Sequence, residues 1–237
     1  MTHRKLSAGL VLAVLLTIAL GVSASAQNWQ GGLAFQLGFP TGEYKDQIDK
    51  TGVGIGGDIL WSPRSAPVGI GLSIGWFQVG NETRQEPFST TIPDVTVDVE
   101  TENALAQFLL LFRLQPKAGA FRPYADALVG VNYLYTTTTI KNASNDEEVA
   151  SSTNFDDNAL AYGFGGGAMI RVYESPEAGP TGPFEVFVDL GFRYMLGGEA
   201  EYLKEGSIRR ENAVVAFDVT ESKTDIAVAR VGVSVSF

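Results

Sequence analysis

The chain contains no cysteine, and its single histidine is His3, close to the amino end. Without a thiol the protein can form no disulfide and can carry no lipid on a cysteine. Without a histidine in the rest of the chain, the usual base of serine and acid–base catalysis and a common ligand of transition metals are both missing. The sequence therefore predicts no enzyme activity, no catalytic residues, no cofactor and no metal site.

Long apolar runs are also scarce, because only residues 6–22 form one. This run follows Arg4 and Lys5 and precedes the small residues 23–26, a pattern typical of a signal peptide cleaved after Ala26. The alternative is an uncleaved anchor helix. We expect residues 1–26 to be removed and residues 27–237 to form one domain. Such a chain could cross a membrane only as a closed β-barrel, which satisfies every backbone hydrogen bond without a helix.

Positive charge is in short supply, with 17 Lys and Arg against 27 Asp and Glu and a net charge of −10. Proteins that bind nucleic acid neutralise phosphates with Lys and Arg. We therefore expect no nucleic-acid partner.

What the sequence does contain is alternation of apolar with small or polar residues, and this alternation recurs eight times. It is clearest in residues 184–196, where every second side chain is Phe, Val, Leu or Tyr. An even number of antiparallel strands can close on itself. The sequence thus predicts an all-β fold, an eight-stranded antiparallel up-and-down transmembrane β-barrel. The predicted strands are residues 30–39, 52–62, 68–79, a segment ending at 115, 121–137, 158–173, 184–196 and 223–237.

Alternation defines two faces but does not say which face lines the lumen. In a soluble, lipocalin-like barrel the apolar face would point inward and the outer face would be charged. Here the second face is rich in small residues, for example Gly69, Gly71, Ser73 and Gly75 on the third strand. Small residues pack well inside a narrow barrel. We therefore expect the apolar face to contact lipid.

The inward face then carries four acids and four bases. Buried charges are costly unless they are paired, so equal numbers predict a salt-bridged network that fills the lumen. An ion-selective or gated pore is the alternative. The predicted lumen network comprises Asp58, Arg113, Asp126, Arg171, Glu185, Asp189, Arg193 and Arg230.

Four long polar segments follow the odd-numbered strands, and they hold twenty acids and seven bases, a net charge of −13. Such asymmetry predicts that these segments are extracellular and that the short ones are periplasmic. The acidic loops could bind lipopolysaccharide through divalent cations or a surface ligand, although solvation of the cell surface is the simpler interpretation. Residues 91–100 alternate again, which predicts a hairpin extension of strands three and four. The long segments are residues 40–51, 80–103, 138–157 and 197–222.

Three segments resemble the OmpA/OmpX/OmpW-like superfamily of small outer-membrane barrels. They are RPYADALVG at residues 122–130, DLGFRY at residues 189–194 and the terminal VGVSVSF. The resemblance implies a bacterial outer-membrane location and outer-membrane lipid as a partner. In that family the terminal aromatic residue is read by the barrel-assembly machinery. Phe237 is therefore the predicted assembly signal, and that machinery is a predicted partner.

The sequence predicts an integral outer-membrane barrel with a filled lumen and a structural or surface-interaction role through acidic loops. The alternative is a narrow channel or a binding protein for small molecules, including hydrophobic ones. Space for such molecules could lie beside Gly163, Gly165 and Gly167. A third hypothesis, a membrane-embedded hydrolase or acyltransferase, is disfavoured because the only histidine leaves with the signal peptide.

Overall fold

The computed structural model describes residues 29–48, 50–63, 66–89, 92–142, 148–175, 184–211 and 214–237. The predicted signal peptide lies outside these residues, so its cleavage stays a prediction. In the part of the chain that is described, no helix has the length and apolar character needed to cross a membrane.

The described chain folds into ten β-strands and one short helix, α1 (Gly42–Gln47). The strands are β1 (Trp29–Pro40), β2 (Gly52–Trp61), β3 (Val68–Ser89), β4 (Ile92–Leu114), β5 (Phe121–Asn142), β6 (Glu148–Glu174), β7 (Glu185–Gly197), β8 (Glu199–Glu211), β9 (Val214–Lys223) and β10 (Ile226–Ser236). Eight of them form a closed antiparallel barrel in the order β1-β10-β7-β6-β5-β4-β3-β2, and the other two form a separate hairpin. The barrel closes where β1 pairs with β10, from Gln30 opposite Ser236 to Pro40 opposite Ile226.

The predicted eight-stranded barrel is confirmed, and four of its strands project beyond the others: β3 and β4 extend as the alternation of residues 91–100 predicts, whereas β5 and β6 are longer than the sequence pattern indicates. Strands β3, β4, β5 and β6 have 22, 23, 22 and 27 residues, whereas β1 and β2 have 12 and 10. The extra length lies at the end of the barrel away from the termini. It includes the predicted hairpin of β3 and β4, in which Gly80 lies opposite Asn103. We call these four projecting strand ends the extracellular extension.

Two elements lie in segments that the sequence pattern assigned to loops. The sequence pattern predicts a long acidic loop at residues 197–222, but β8 and β9 pair there, beginning with Glu199 opposite Lys223. Lys223 therefore ends β9 instead of beginning the last barrel strand, which starts at Ile226. Helix α1 occupies the connection between β1 and β2. Both elements pack over the end of the barrel, because they share a buried apolar cluster with lumen residues.

Alternation along each strand separates a lipid-facing surface from the lumen, as β4 illustrates. Phe108, Leu110 and Phe112 are 45–50% exposed, whereas Leu109 and Leu111 between them are buried, as are Gln107 and Arg113 on either side. The same period of two runs along the other barrel strands. The apolar face therefore points outward, as predicted, where a bilayer can cover it.

Aromatic side chains lie at both ends of this apolar band. At the extracellular end, Trp76 donates a hydrogen bond from Nε1 to the Tyr135 hydroxyl over 2.9 Å, and Tyr133 stacks on Tyr135. At the end where the termini meet, Trp29 lies opposite Trp61 across β1 and β2. Aromatic girdles of this kind mark the two membrane–water interfaces of a barrel.

Candidate functional site

Three arginines and three aspartates meet in the lumen, roughly halfway along the barrel. They come from β2, β4, β5, β7 and β10, and each lies at an inward position between two lipid-facing residues. Their side chains are at most 7% exposed. We call this group the central ion cluster, and its members are Asp58, Arg113, Asp126, Asp189, Arg193 and Arg230.

The strongest pair in the central ion cluster joins Arg113 to Asp126. These residues are directly opposite in the β4–β5 register. Arg113 donates from Nε to Oδ1 over 2.7 Å and from Nη2 to Oδ2 over 2.8 Å. Arg193 adds a third contact, from Nη2 to Asp126 Oδ2 over 3.2 Å. A two-pronged guanidinium–carboxylate pair is both stronger and better oriented than a single hydrogen bond.

Asp58 is the shared acceptor of the cluster, because one of its oxygens faces all three arginines. Its Oδ2 lies 2.8 Å from Arg230 Nη2, 3.0 Å from Arg193 Nη2 and 3.5 Å from Arg113 Nη2. Arg193 also donates to Ser73 over 2.9 Å. Three positive and three negative charges thus compensate one another, which is the condition under which burial of ions in an apolar barrel is tolerated.

Tyr124 of β5 bridges two members of the cluster, Arg113 on β4 and Asp189 on β7. Its hydroxyl donates to Asp189 Oδ1 over 2.7 Å, and the guanidinium carbon of Arg113 lies 3.9 Å from the centre of its ring. The hydroxyl fits only because two inward positions beside it lack side chains. A Cβ at Gly167 or Gly191 would lie 2.5 or 2.4 Å from that oxygen.

The two remaining members of the predicted network, Arg171 and Glu185, lie apart from the central ion cluster. They form a second group near the end of the barrel that holds the termini, with Arg122 and Glu174. Arg122 donates from Nη2 to both oxygens of Glu185 over 2.8 and 2.6 Å, and its guanidinium carbon lies 4.5 Å from the ring centre of Phe187. Arg171 contacts Glu185 at 2.6 Å and Glu174 at 3.0 Å. We call this group the rim ion cluster.

The sequence pattern missed Arg122 and Tyr124, although a signal for both was present. They precede Asp126 by four and two residues on β5, so their side chains lie on the same, lumen-facing side of the strand. The Pro123 between them obscured the alternation. Alternation predicts that Ser73 faces inward as a small residue, but its hydrogen bond to Arg193 depends on a register that the sequence does not reveal.

Above the central ion cluster, uncharged side chains fill the lumen. Gln107 donates to Asn132 over 3.0 Å, and Asn132 donates to Thr224 over 3.3 Å. The next layer is apolar and fully buried. Its members are Phe77, Leu105, Met195 and Ile226.

The extracellular mouth is covered by α1 and β8. Tyr44 of α1 and Tyr202 of β8 meet edge to face with ring centres 5.6 Å apart, and both are buried. Tyr202 shares a hydrogen bond of 2.7 Å with the Ser222 hydroxyl. Burial raises the pKa of both tyrosines, and in Tyr44 the nearby Tyr202 raises it further. We call Tyr44, Tyr202 and the neighbouring Ile48 and Ala200 the mouth cap.

The space that the glycines of β6 could have left open is occupied. A Cβ at Gly163 would lie 2.8 Å from Met195 Sδ, and one at Gly165 would lie 2.6 Å from Arg193 Cγ. At Gly167 it would lie 2.2 Å from the backbone oxygen of Leu190 and 2.5 Å from the hydroxyl of Tyr124. Backbone and side-chain atoms of neighbouring strands therefore occupy the space beside all three glycines.

The carboxyl-terminal residue lies at the seam of the barrel. Phe237 and Trp29 exchange two backbone hydrogen bonds, of 3.0 and 2.9 Å. The role of Phe237 as an assembly signal stays a prediction.

A closed eight-stranded antiparallel barrel with an apolar outer band and an ion-paired interior defines a small integral membrane barrel. The chain belongs to the family described as outer membrane protein beta-barrel domain, which matches residues 12–237. Its location is accordingly the bacterial outer membrane.

Solved structures that are similar to this chain are small barrels of low sequence identity. Neisserial surface protein A is 13% identical, with 88% of this chain and 96% of that chain covered and a TM-score of 0.41. Ail, the attachment invasion locus protein of Yersinia pestis, is 13% identical, with 89% and 97% covered and a TM-score of 0.38. A major outer membrane protein from Thermus thermophilus is 10% identical, with 87% and 98% covered and a TM-score of 0.40. No curated protein matches the chain.

Proposed function

We propose that the protein is a non-enzymatic outer-membrane barrel whose filled lumen anchors an extracellular β-structure that makes surface interactions. The observation that carries this proposal is the central ion cluster. Six charged side chains compensate one another across the barrel while being almost fully buried. A narrow barrel filled in this way is a rigid support, not a conduit.

Two further layers support a closed lumen. The rim ion cluster lies below the central one, and the mouth cap lies above the apolar layer that contains Phe77 and Leu105. A solute would have to displace ion pairs, apolar packing and the cap in turn. The proposal therefore favours an anchor over the alternative, a narrow channel or binding protein for small molecules.

The surface role rests on the extracellular extension. The β2–β3 pairing ends with Val53 opposite Gln78, whereas β3 continues to Ser89. Beyond Gln78, one edge of β3 has no strand neighbour among the described residues. An exposed strand edge can pair with an extended segment of another protein. The surrounding acids would favour a basic ligand or lipopolysaccharide bridged by divalent cations.

Single-channel recording in planar bilayers tests the closed lumen. The refolded protein, with folding verified by heat-modifiable gel migration, is expected to insert without conducting. Insertion is verified separately by protection of the barrel from added protease in lipid vesicles, so that absence of conductance can be assigned to the filled lumen. Steady conductance steps from the wild-type protein would contradict the proposal.

The surface role is tested by shortening the extension while leaving the barrel intact. A variant that lacks residues 83–99 keeps the β3–β4 pairing from Val68 to Gln78. Binding to lipopolysaccharide micelles with and without Ca²⁺, measured by calorimetry, is expected to weaken in this variant. Equal binding by the shortened and complete proteins would remove the extension from the proposed role.

A further inference from the structure

Two apolar furrows lie side by side on the lipid-facing surface, near the end of the barrel that holds the termini. The first has a volume of about 520 Å³ and the second a volume of about 620 Å³. Trp61 and Ile70 line both furrows, so these two side chains form the wall between them. The first continues over Phe112 and Ala127, and the second continues over Ile59 and Leu110.

The first furrow exists because small and large side chains alternate across neighbouring strands. Ala127 lies opposite Phe112, and Ala125 lies opposite Leu114. The two alanines leave the surface of β5 lower than that of β4 at this level. Since both alanines are exposed, the depression is open to the membrane.

A cation lies at the end of the first furrow. Lys117, in the turn between β4 and β5, donates from Nζ to the carbonyl oxygen of Pro63 over 2.5 Å. Pro63 itself lines the furrow. An ammonium group carries three donors, so Lys117 keeps donors for an anion. Partial burial lowers the pKa of Lys117, and an adjacent negative charge would favour its protonated form.

We propose that the two furrows and Lys117 bind one anionic diacyl glycerophospholipid, with an acyl chain in each furrow and the phosphate on Lys117. Two adjoining grooves match the two chains of such a lipid, and the cation matches its phosphate. The termini and short turns of an outer-membrane barrel face the periplasm. The site therefore lies in the periplasmic leaflet, which is the leaflet of glycerophospholipids.

Native mass spectrometry of the refolded protein in detergent, with dipalmitoyl phosphatidylglycerol as the probe, tests this site. The wild-type protein is expected to retain one lipid molecule when weakly bound lipids have been removed. Lys117→Gln removes the phosphate partner, and Ala127→Leu fills the first furrow. Each change is expected to weaken binding by about tenfold, the usual effect of losing one charge-assisted hydrogen bond or an equivalent apolar contact.

Matched controls separate this site from general lipid coating. Lys45→Gln removes a cation from α1 at the opposite end of the barrel, and Ala168→Leu enlarges an outward alanine on β6 outside both furrows. Both controls are expected to bind like the wild-type protein. Equal weakening in the controls, or no retained lipid, would overturn the proposal. Equal retention of dipalmitoyl glycerol would overturn the phosphate contact, and a dimer in place of the lipid complex would assign the furrows to a second copy.

Discussion

Arg113 and Asp126 lie directly opposite each other on β4 and β5 and are joined by two parallel hydrogen bonds of 2.7 and 2.8 Å. The side chain of Arg113 is 1% exposed and that of Asp126 is fully buried. A pair in this environment has no access to water that could solvate either charge alone. Each member therefore depends on the other, and the pair should behave as one unit when it is mutated.

We expect Arg113→Met to destabilise the barrel by about 3 to 5 kcal/mol, because removal of one partner leaves a buried charge without its main counter-ion. In the double variant Arg113→Met with Asp126→Leu, the free energy of unfolding should fall by much less than the sum of the two single losses. Urea unfolding in lipid vesicles, followed by the fluorescence of the 3 tryptophans, measures both effects.

The exposed ion pair between Lys223 and Glu43 is the control for this experiment. Its side chains are 53% and 58% exposed, and its atoms are 3.5 Å apart. We expect Lys223→Met to change the free energy of unfolding by no more than about 1 kcal/mol. Additive losses in the double variant of Arg113 and Asp126 would contradict the view that the pair acts as a unit.

The fit of Tyr124 against Gly191 gives a second prediction. Gly191→Ala would bring a Cβ within 2.4 Å of the Tyr124 hydroxyl oxygen. We expect this overpacking to lower the free energy of unfolding by about 1 to 3 kcal/mol. In a Tyr124→Phe background the obstructing oxygen is gone, so the same alanine should cost less, and the same urea titration measures the difference.

The Tyr124→Phe change also destabilises the barrel, since it removes the 2.7 Å hydrogen bond to Asp189. We expect the free energy of unfolding to fall by about 1 to 3 kcal/mol, because the carboxylate is buried. Gly31→Ala provides a glycine control, because a Cβ there would have no neighbour within 4 Å. An equal effect of Gly191→Ala with and without the Tyr124 hydroxyl would refute the steric explanation.

The barrel itself was readable from the sequence because strands alternate with a strict period of two. That period places Asp58, Arg113 and Asp126 on the same face of their strands as the small residues, and the structure places all three side chains in the lumen. What alternation cannot supply is the register between strands. The division of the predicted network into a central and a rim ion cluster depends on that register, so it emerged only from the fold.

The extracellular extension of β5 and β6 was hidden for a different reason. Residues 136–139 are four consecutive threonines, which offer no contrast between two faces. Threonine nevertheless favours strands because it is β-branched, and Thr139 shares a hydrogen bond of 3.2 Å with Ser151 across the pair. Strands outside a membrane need no apolar face toward lipid, so a pattern based on apolar residues overlooks them.

Within the extension, the ion pair between Glu100 and Lys141 predicts a dependence on pH. The hydrogen bond from Lys141 lowers the pKa of Glu100, and Asn81 adds a smaller contribution. A lowered pKa in the folded state means that the pair contributes stability above the ordinary pKa of glutamate, which is about 4.3, and loses it as the pH falls through the lowered value.

We therefore expect the protection of amides in the extension, relative to their intrinsic exchange rates at each pH, to fall as the solution is acidified below about pH 4. A carbon-13 NMR titration should place the midpoint of Glu100 below that ordinary value. Lys141→Gln should raise the midpoint, and an unchanged midpoint in that variant would disprove the assigned cause.

The mouth cap predicts how well the upper lumen is protected from solvent. The chain has no cysteine, so Ile226→Cys would introduce a unique thiol in the fully buried layer beneath the cap. Tyr44 is completely buried against Tyr202, and replacing it by alanine removes one of the two rings that cover the mouth. Loss of a buried aromatic ring lowers the free energy of local opening, so a charged thiol reagent should react at least about tenfold faster in the Tyr44→Ala background.

The control is Val53→Ala, an exposed change on β2, which should leave the rate of thiol labelling unaltered. Rapid labelling of Ile226→Cys alone would mean that the cap does not seal the lumen.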